Sequence, residues 1–177
     1  MKKTIQNITI ELIKGDIASQ KDMDAVINAA NQALQPGGGV AGALHEKAGE
    51  KLEEACRPLA PIRPGEAVIT KGFNLPNDYV IHVLGPVYGT NKPEALLLRK
   101  SYVNALNVAE QQGLKSIAFP ALSTGAFNYP LEEAADVAMK AICDKLCALS
   151  NVKHIRFVLY DQISLDIHET ALRRLTK

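Results

Sequence analysis

Apolar positions recur with two different spacings along the 177-residue chain, and the spacing alternates from segment to segment. Thr4 to Ile13 carries Ile8, Ile10 and Leu12 on one side, the period of two expected of a half-buried strand. Short apolar runs at Ala25-Val26-Ile27, Glu66 to Lys71, Tyr79 to Leu84, Ser116 to Pro120 and His154 to Tyr160 read as further strands. Between them the period lengthens. Ala41 to Cys56 reads as one helix. Pro93 to Gln112 spaces Ala95, Leu98, Tyr102, Ala105 and Ala109 three and four apart, with Gly113 placed to end the helix. Pro130 to Leu146 opens with a proline suited to a first turn and two acids, Glu132 and Glu133, that favour a helix N-terminus. Ser164 to Leu175 puts Ile167, Ala171 and Leu175 on one stripe. Strands alternating with helices, without a linker, a repeat or a low-complexity stretch, predict a single three-layer α/β domain over residues 1–177.

Composition narrows the function classes. Hydrophobic residues make up 47% and charged residues 22%, an ordinary globular balance. The chain carries 20 Lys+Arg against 19 Asp+Glu, a formal net charge of +1, which argues against a broad basic face for nucleic acid or an anionic membrane. No apolar run approaches the ~18 residues of a membrane span. Gln6, Asn7 and Glu11 interrupt what would be the apolar part of a signal peptide after Met1-Lys2-Lys3. A cytoplasmic protein is expected, and any anion it binds must be held locally by backbone groups. Cys56, Cys143 and Cys147 read as small core residues in a reducing compartment. Cys143 and Cys147 stand four apart but lack a third ligand, so no metal is expected.

In α/β sheets ligands sit in a crevice at the carboxyl ends of strands, which directs attention to three places. The first is the loop Asn28 to Gly42, where Gly37-Gly38-Gly39 runs into a helix. Consecutive glycines allow close approach, and a helix start offers free N–H groups, together an anion-binding turn that needs no Lys or Arg. Gly37, Gly39 and Gly42 also match a G-x-G-x-x-G spacing, but nine residues, Asn28 to Pro36, separate them from their strand. A nicotinamide-binding Rossmann reading fails on that context, and no Gly-Lys-Ser/Thr supports a Walker loop. The second place is Pro120 to Pro130, which includes Ser123, Thr124, Gly125, Ala126 and Phe127 and also joins a strand to a helix. Two such loops could clamp a diphosphate. Phe127 could pack on a sugar ring or plug its own loop. The third is a pair: Asp16 after the first strand and Tyr160 at the end of the last, a carboxylate and a ring suited to one base. His82 reads as a satisfied core histidine, and His45 as a possible brace for the glycine loop. No Ser-His-Asp or Cys-His set can be assembled.

Taken in order, these segments resemble the macrodomain family. The resemblance rests on Gly15-Asp16-Ile17, Val26-Ile27-Asn28-Ala29-Ala30-Asn31, Gly37 to His45, Ile81 to Pro86 and Pro120 to Phe127, and covers nearly the whole chain. It implies a three-layer α/β/α sandwich with a mixed, mostly parallel central sheet that binds ADP-ribose or ADP-ribosylated protein as a monomer, without a cofactor. By resemblance Asp16 accepts from the adenine amine, Ile17 lines that pocket, and Tyr160 stacks on adenine. Gly37, Gly38, Gly39 and Val40 form one phosphate loop, and Ser123, Thr124, Gly125 and Ala126 the other. Ala29 lines the ligand site. Phe127 packs against the distal ribose, and Asn31 bonds its hydroxyls and positions an attacking water, which makes Asn31 and Phe127 the implied catalytic residues. The activity implied is hydrolysis of ADP-ribose esters on acidic side chains or of O-acetyl-ADP-ribose. The alternative is a reader that binds without turnover, because Ala41 stands where many family hydrolases have Asp. Pro36 stands where viral members have His, and Ala18 and Asn128 replace the commoner Thr and Gly.

Overall fold

A computed structural model describes residues 1–177. The first strand-like segment is a hairpin: Gln6 and Asn7 take positive φ (51° and 64°). Strand β1 (Lys2–Ile5) therefore folds back antiparallel on β2 (Ile8–Lys14), where period alone predicts one continuous strand. Two adjacent left-handed residues suit a tight hairpin turn, and asparagine tolerates that conformation. The remaining strands are β3 (Ala25–Ala29), β4 (Ala67–Lys71), β5 (Tyr79–Val83), β6 (Ser116–Phe119) and β7 (His154–Leu159). They form a seven-stranded sheet in the order β1-β2-β7-β6-β3-β5-β4. Only the edge pairs, β1 with β2 and β4 with β5, are antiparallel. The sheet is thus mixed and mostly parallel, as expected.

Five helices cover it. They are α1 (Gly39–Ala48), α2 (Glu50–Cys56), α3 (Glu94–Gln112), α4 (Leu131–Lys145) and α5 (Gln162–Leu175). The segment read as one helix to Cys56 breaks at Gly49, whose φ of 88° and ψ of 177° no helix accommodates. A Cβ at Gly49 would also stand 3.0 Å from the Asn74 amide. In α5 the buried stripe is His168, Ala171 and Leu172, while Leu175 is 45% exposed, so the stripe is rotated from the predicted one. The strands alternate cleanly. Val26, Val80, Ala118 and Val158 face α1 and α2, whereas Ala25, Ile27, Ile81, Ile117, Phe119 and Phe157 face α3, α4 and α5. This is the three-layer α/β/α arrangement. Cys56 is buried and Cys143 half-buried, but Cys147 is exposed, against the expectation of three core cysteines. No helix is long and apolar enough to cross a membrane.

The sheet is not uniform along its strands. β3 pairs with β6 only through Ala25–Ile117 and Val26–Ala118, yet stays paired with β5 as far as Ala29–Val83. Beyond Val26 the two central strands part, and a crevice opens at their carboxyl ends. The segment after β2 that borders this edge is held from below. Arg156 is buried, its Nη1 and Nη2 donate to the two Asp22 oxygens at 2.7 Å, and its Nε donates to Glu11. Its Nη1 also reaches Gln20 Oε1, and Gln20 Nε2 donates to the Asp16 carbonyl.

Hydrogen bonds from Arg156 hold the Asp22 carboxyl down from 3.8 to about 2. A depressed carboxyl stabilises the fold above its unfolded value, and that contribution is lost as pH falls through the folded one. Asp22 is 63% exposed, so the expected contribution is about 1 kcal/mol or less. Thermal melts of wild type and Asp22→Asn should show the full wild-type advantage above pH 4 and its disappearance as pH approaches 2. Equal melting temperatures at neutral pH would contradict this.

Candidate anion site at the sheet crevice

The first loop is tied into shape before it reaches the glycines. Asn31 Nδ2 donates to the Gln35 carbonyl at 2.8 Å, and the Gln35 N–H donates to Asn31 Oδ1 at 3.0 Å. Leu34, at φ 55°, is driven into the α1/α2 core, where it is 1% exposed. A Cβ on Gly37 would sit 3.3 Å from the Asn31 amide nitrogen. One on Gly42 would lie 2.3 Å from the Gly37 carbonyl oxygen. Gly42 is therefore the glycine that packing requires, because helix and loop cross in backbone contact there. Gly39 is required for a different reason, its φ of 57°. Gly38 is extended and faces open space. No side chain caps α1. The N–H groups of Gly37, Gly38, Gly39, Val40 and Ala41 make no hydrogen bond within the protein.

The second loop repeats this on the other side of the crevice. Leu122 N–H donates to the buried Tyr102 hydroxyl on α3, Tyr129 N–H to Ser123 O, and Asn128 N–H to Gly125 O. Ser123 (φ 65°) and Asn128 (φ 59°) are left-handed, a conformation that asparagine tolerates better than most residues. Gly85, after β5, lies close under the second loop: a Cβ there would approach Ser123 Oγ to 2.1 Å, so the hydroxyl would have to turn away. Between these anchors the N–H groups of Ser123, Thr124, Gly125, Ala126 and Phe127 also lack a partner within the protein. Phe127 is half-buried against the α1/α2 core, as is Val40 of the first loop. Its carbonyl accepts from Tyr88 N–H at 2.9 Å.

The remaining sequence-read residues fall on the same edge of the sheet. Lys14 pairs with Leu159, and Gly15 N–H donates to Leu159 O, so Asp16 and Tyr160 leave neighbouring strand ends. Tyr160 is 93% exposed. Asp16 caps the 3-10 turn Ile17–Ser19, accepting from Ala18 N–H and the Ser19 hydroxyl, and Ile17 is buried beside it. Ala29, half-buried, ends β3 between the two glycine-containing loops. Ala41 is buried in the first turn of α1, and its methyl offers no proton acceptor.

Beneath the first loop lies a polar cluster that sequence spacing only partly reveals. Asn28 Nδ2 donates to His82 Nδ1 at 3.0 Å, which leaves the proton on Nε2 to donate to Thr70 Oγ1 at 2.9 Å. Burial, aided by nearby His45, pushes the His82 imidazole down to about 3, so it stays neutral. It is the satisfied core histidine expected. Cys56 Sγ lies 3.6 Å from the same Nε2, and burial pushes its thiol up to about 11. Both ring nitrogens of His45 are buried without partners, so it gives the glycine loop no hydrogen-bonded brace, and its ring lies 6.5 Å from that of His82. Tyr102 and Gly85 were not identifiable as site supports from spacing. Their only signals were an aromatic on a helix stripe and a Gly-Pro at a strand end.

Unpaired N–H groups on two facing loops, with no lysine or arginine among them, suit a phosphorylated ligand. A family model for the macro domain matches residues 27–138, which hold both loops. The chain belongs to the macro domain family. A macro domain-containing protein of Chlorobaculum tepidum is 44% identical over 167 residues, covering 94% of this chain and 96% of that one. A Citrobacter rodentium protein named O-acetyl-ADP-ribose deacetylase is 42% identical, covering 94% and 96%. Among solved structures, the Oceanobacillus iheyensis macrodomain with ADP superposes with a TM-score of 0.95 at 35% identity, covering 99% of this chain and 96% of that chain. The Trypanosoma brucei macrodomain in complex with ADP-ribose gives 0.86 at 34% identity, covering 92% of this chain and 68% of that chain.

The loop geometry of this macro domain separates two glycines by role. Gly42→Ala should destabilise the fold by about 1–3 kcal/mol through overpacking against Gly37. Gly38→Ala should change stability by no more than about 0.5 kcal/mol. Denaturant unfolding of both variants measures this, and equal midpoints would contradict the assigned backbone contact.

Proposed function

We propose that this macro domain binds ADP-ribose, with its diphosphate between the N–H groups of Gly37–Ala41 and those of Ser123–Phe127. The observation that carries this reading is that both runs of donors are unpaired and border the same crevice. The ligands in the solved Oceanobacillus and Trypanosoma macrodomains support it. Adenine stacks on Tyr160, lined by Ile17, and its amine donates to a lone pair that Asp16 keeps beyond its capping bonds. The distal ribose lies between Phe127 and Asn31. After its two bonds to Gln35, the Asn31 amide retains one N–H and one lone pair for the ribose hydroxyls.

The activity we propose is hydrolysis of ADP-ribose esters. For an ADP-ribosylated Glu or Asp, water attacks C1″ of the distal ribose. The bond from C1″ to the carboxylate oxygen breaks and releases the free side chain, while the water proton passes to the substrate's diphosphate. The products are ADP-ribose and an unmodified carboxylate. Asn31 and Phe127 fix the water and the ribose, a positioning contribution. O-acetyl-ADP-ribose is the second candidate ester, supported by the name of the Citrobacter relative. A specific observation favours a second reading, an ADP-ribose reader without turnover: the buried methyl of Ala41 and the exposed ring of Pro36 provide no protein base.

Binding and turnover are separable. At 100 times its Kd, ADP-ribose should add about 2.7 kcal/mol of stability, a melting shift of roughly 5–10 °C for a domain of this size. AMP, lacking the second phosphate and the distal ribose, should give a much smaller shift. Equal shifts would overturn the two-loop clamp. For turnover, the assay is release of ADP-ribose from a glutamate-modified protein beside O-acetyl-ADP-ribose. Asn31→Ala should slow release by about 100-fold. Ala41→Asp, which places a carboxylate where the helix dipole favours it, should accelerate release at least about tenfold. ADP-ribose binding with no release above the uncatalysed rate would establish the reader.

A further inference from the structure

Two cations stand behind Asp16, each one side chain removed from it. Gln20, 6% exposed, donates through Nε2 to the Asp16 carbonyl at 2.7 Å, and its Oε1 accepts from Arg156 Nη1 at 3.0 Å. A guanidinium has donors only, so the Gln20 oxygen must face it and the amide nitrogen must face Asp16. Arg156 is itself fixed, by Glu11 and by both oxygens of Asp22. The second arm comes from α1. Lys47 Nζ donates to Ser19 Oγ at 3.0 Å, and Ser19 Oγ donates to Asp16 Oδ2 at 3.1 Å. An ammonium also has donors only; it occupies a lone pair of the hydroxyl and leaves the hydroxyl proton for Asp16. Ala18 N–H donates to Asp16 Oδ1 at 2.9 Å, and Ser19 N–H to the Asp16 carbonyl at 3.1 Å. Carboxylate and carbonyl are thus each held by two bonds. In each pair, one bond is directed by a cation that makes no ion pair with Asp16.

A carboxylate only accepts, so a held one reads what a base presents at one fixed point. Adenine presents its 6-amine there, a donor. A 6-oxo purine presents an acceptor at that position and a donor at the neighbouring N1. A carboxylate free to turn could take either base, accepting from the amine of one or from the N1–H of the other. Resting on the base contact proposed above, we infer that Gln20 and Ser19, turned by Arg156 and Lys47, are positioning residues that make the site selective for 6-amino over 6-oxo purines. Selection works by exclusion, because the oxo oxygen meets a carboxylate that cannot turn away. Lys47 stands in the last turn of α1, about 12 Å along the axis from Gly39. The helix that offers free N–H groups to the diphosphate at its start therefore also holds the base-reading carboxylate from its end. Both arms are in place before any ligand arrives, which lowers the ordering cost of binding the matching base.

The test measures binding of ADP-ribose and of its hypoxanthine counterpart, in which an oxo group replaces the 6-amine. Wild type should prefer ADP-ribose by at least about tenfold. Ser19→Ala and Lys47→Met alter only the exposed arm, whereas Gln20→Glu keeps the bond to Arg156 but turns an oxygen toward the Asp16 carbonyl. Each should cut the preference to about threefold or less, through a loss of ADP-ribose affinity that the hypoxanthine ligand does not share. A general loosening of the turn would weaken both ligands alike, and that outcome, or an unchanged ratio in Ser19→Ala and Gln20→Glu, would overturn the inference. Asp16→Ala separates these arms from the base contact itself. Loss of the preference in Asp16→Ala alone would leave the base contact standing and overturn only the positioning roles. A preference that survives Asp16→Ala, or its absence from wild type, would overturn the base contact and this inference with it.

Discussion

A backbone N–H that finds no partner is unfavourable wherever water is excluded, and folded chains leave few of them together. Here two runs of them border the crevice where β3 and β6 part, and the rest of the site depends on that arrangement. The constraint behind it is geometric. Two parallel strands that separate at their carboxyl ends cannot satisfy the loops that follow them, and the uncapped start of α1 adds its own free donors. A chain with 20 basic and 19 acidic residues thereby presents local positive potential without spending formal charge on it.

What keeps these donors in place is packing around them. Gly42 lets α1 press against the Gly37 carbonyl, and Gly85 admits Ser123. Tyr102 reaches from α3 to the N–H at the start of the second loop. On the side of Asp16 and Tyr160, Arg156 holds Gln20, and Gln20 holds the Asp16 carbonyl. Each loop is thus anchored to a different helical layer, so the donors are held in position in advance of any ligand, which lowers the ordering cost of binding. The absence of a base at Ala41 leaves positioning as the main catalytic resource that the proposed chemistry can draw on.

Much of this was legible in the residues. Periods of two and of three to four predicted the alternating strands and helices, and the triple glycine marked the first loop through its conformational freedom. Three things were hidden for physical reasons. The hairpin leaves only a one-residue slip of the period, from Ile5 to Ile8 across Gln6-Asn7, and it is the left-handed backbone that shows the slip to be a turn. Gly49 interrupts a helix whose apolar stripe continues across the break, at Ala48 and Leu52. The partners of His82 come from β3 and β4, and the crowding of Gly85 against Ser123 joins loops far apart in sequence. Such long-range juxtapositions carry no local signature.

Amide-resolved NMR during titration with ADP-ribose tests the part played by these amides most directly. The proposed clamp predicts that the amide signals of Gly37–Ala41 and Ser123–Phe127 shift together at one saturation point and gain protection from hydrogen exchange. Shifts confined to only one of the loops, or centred on residues outside both, would contradict it.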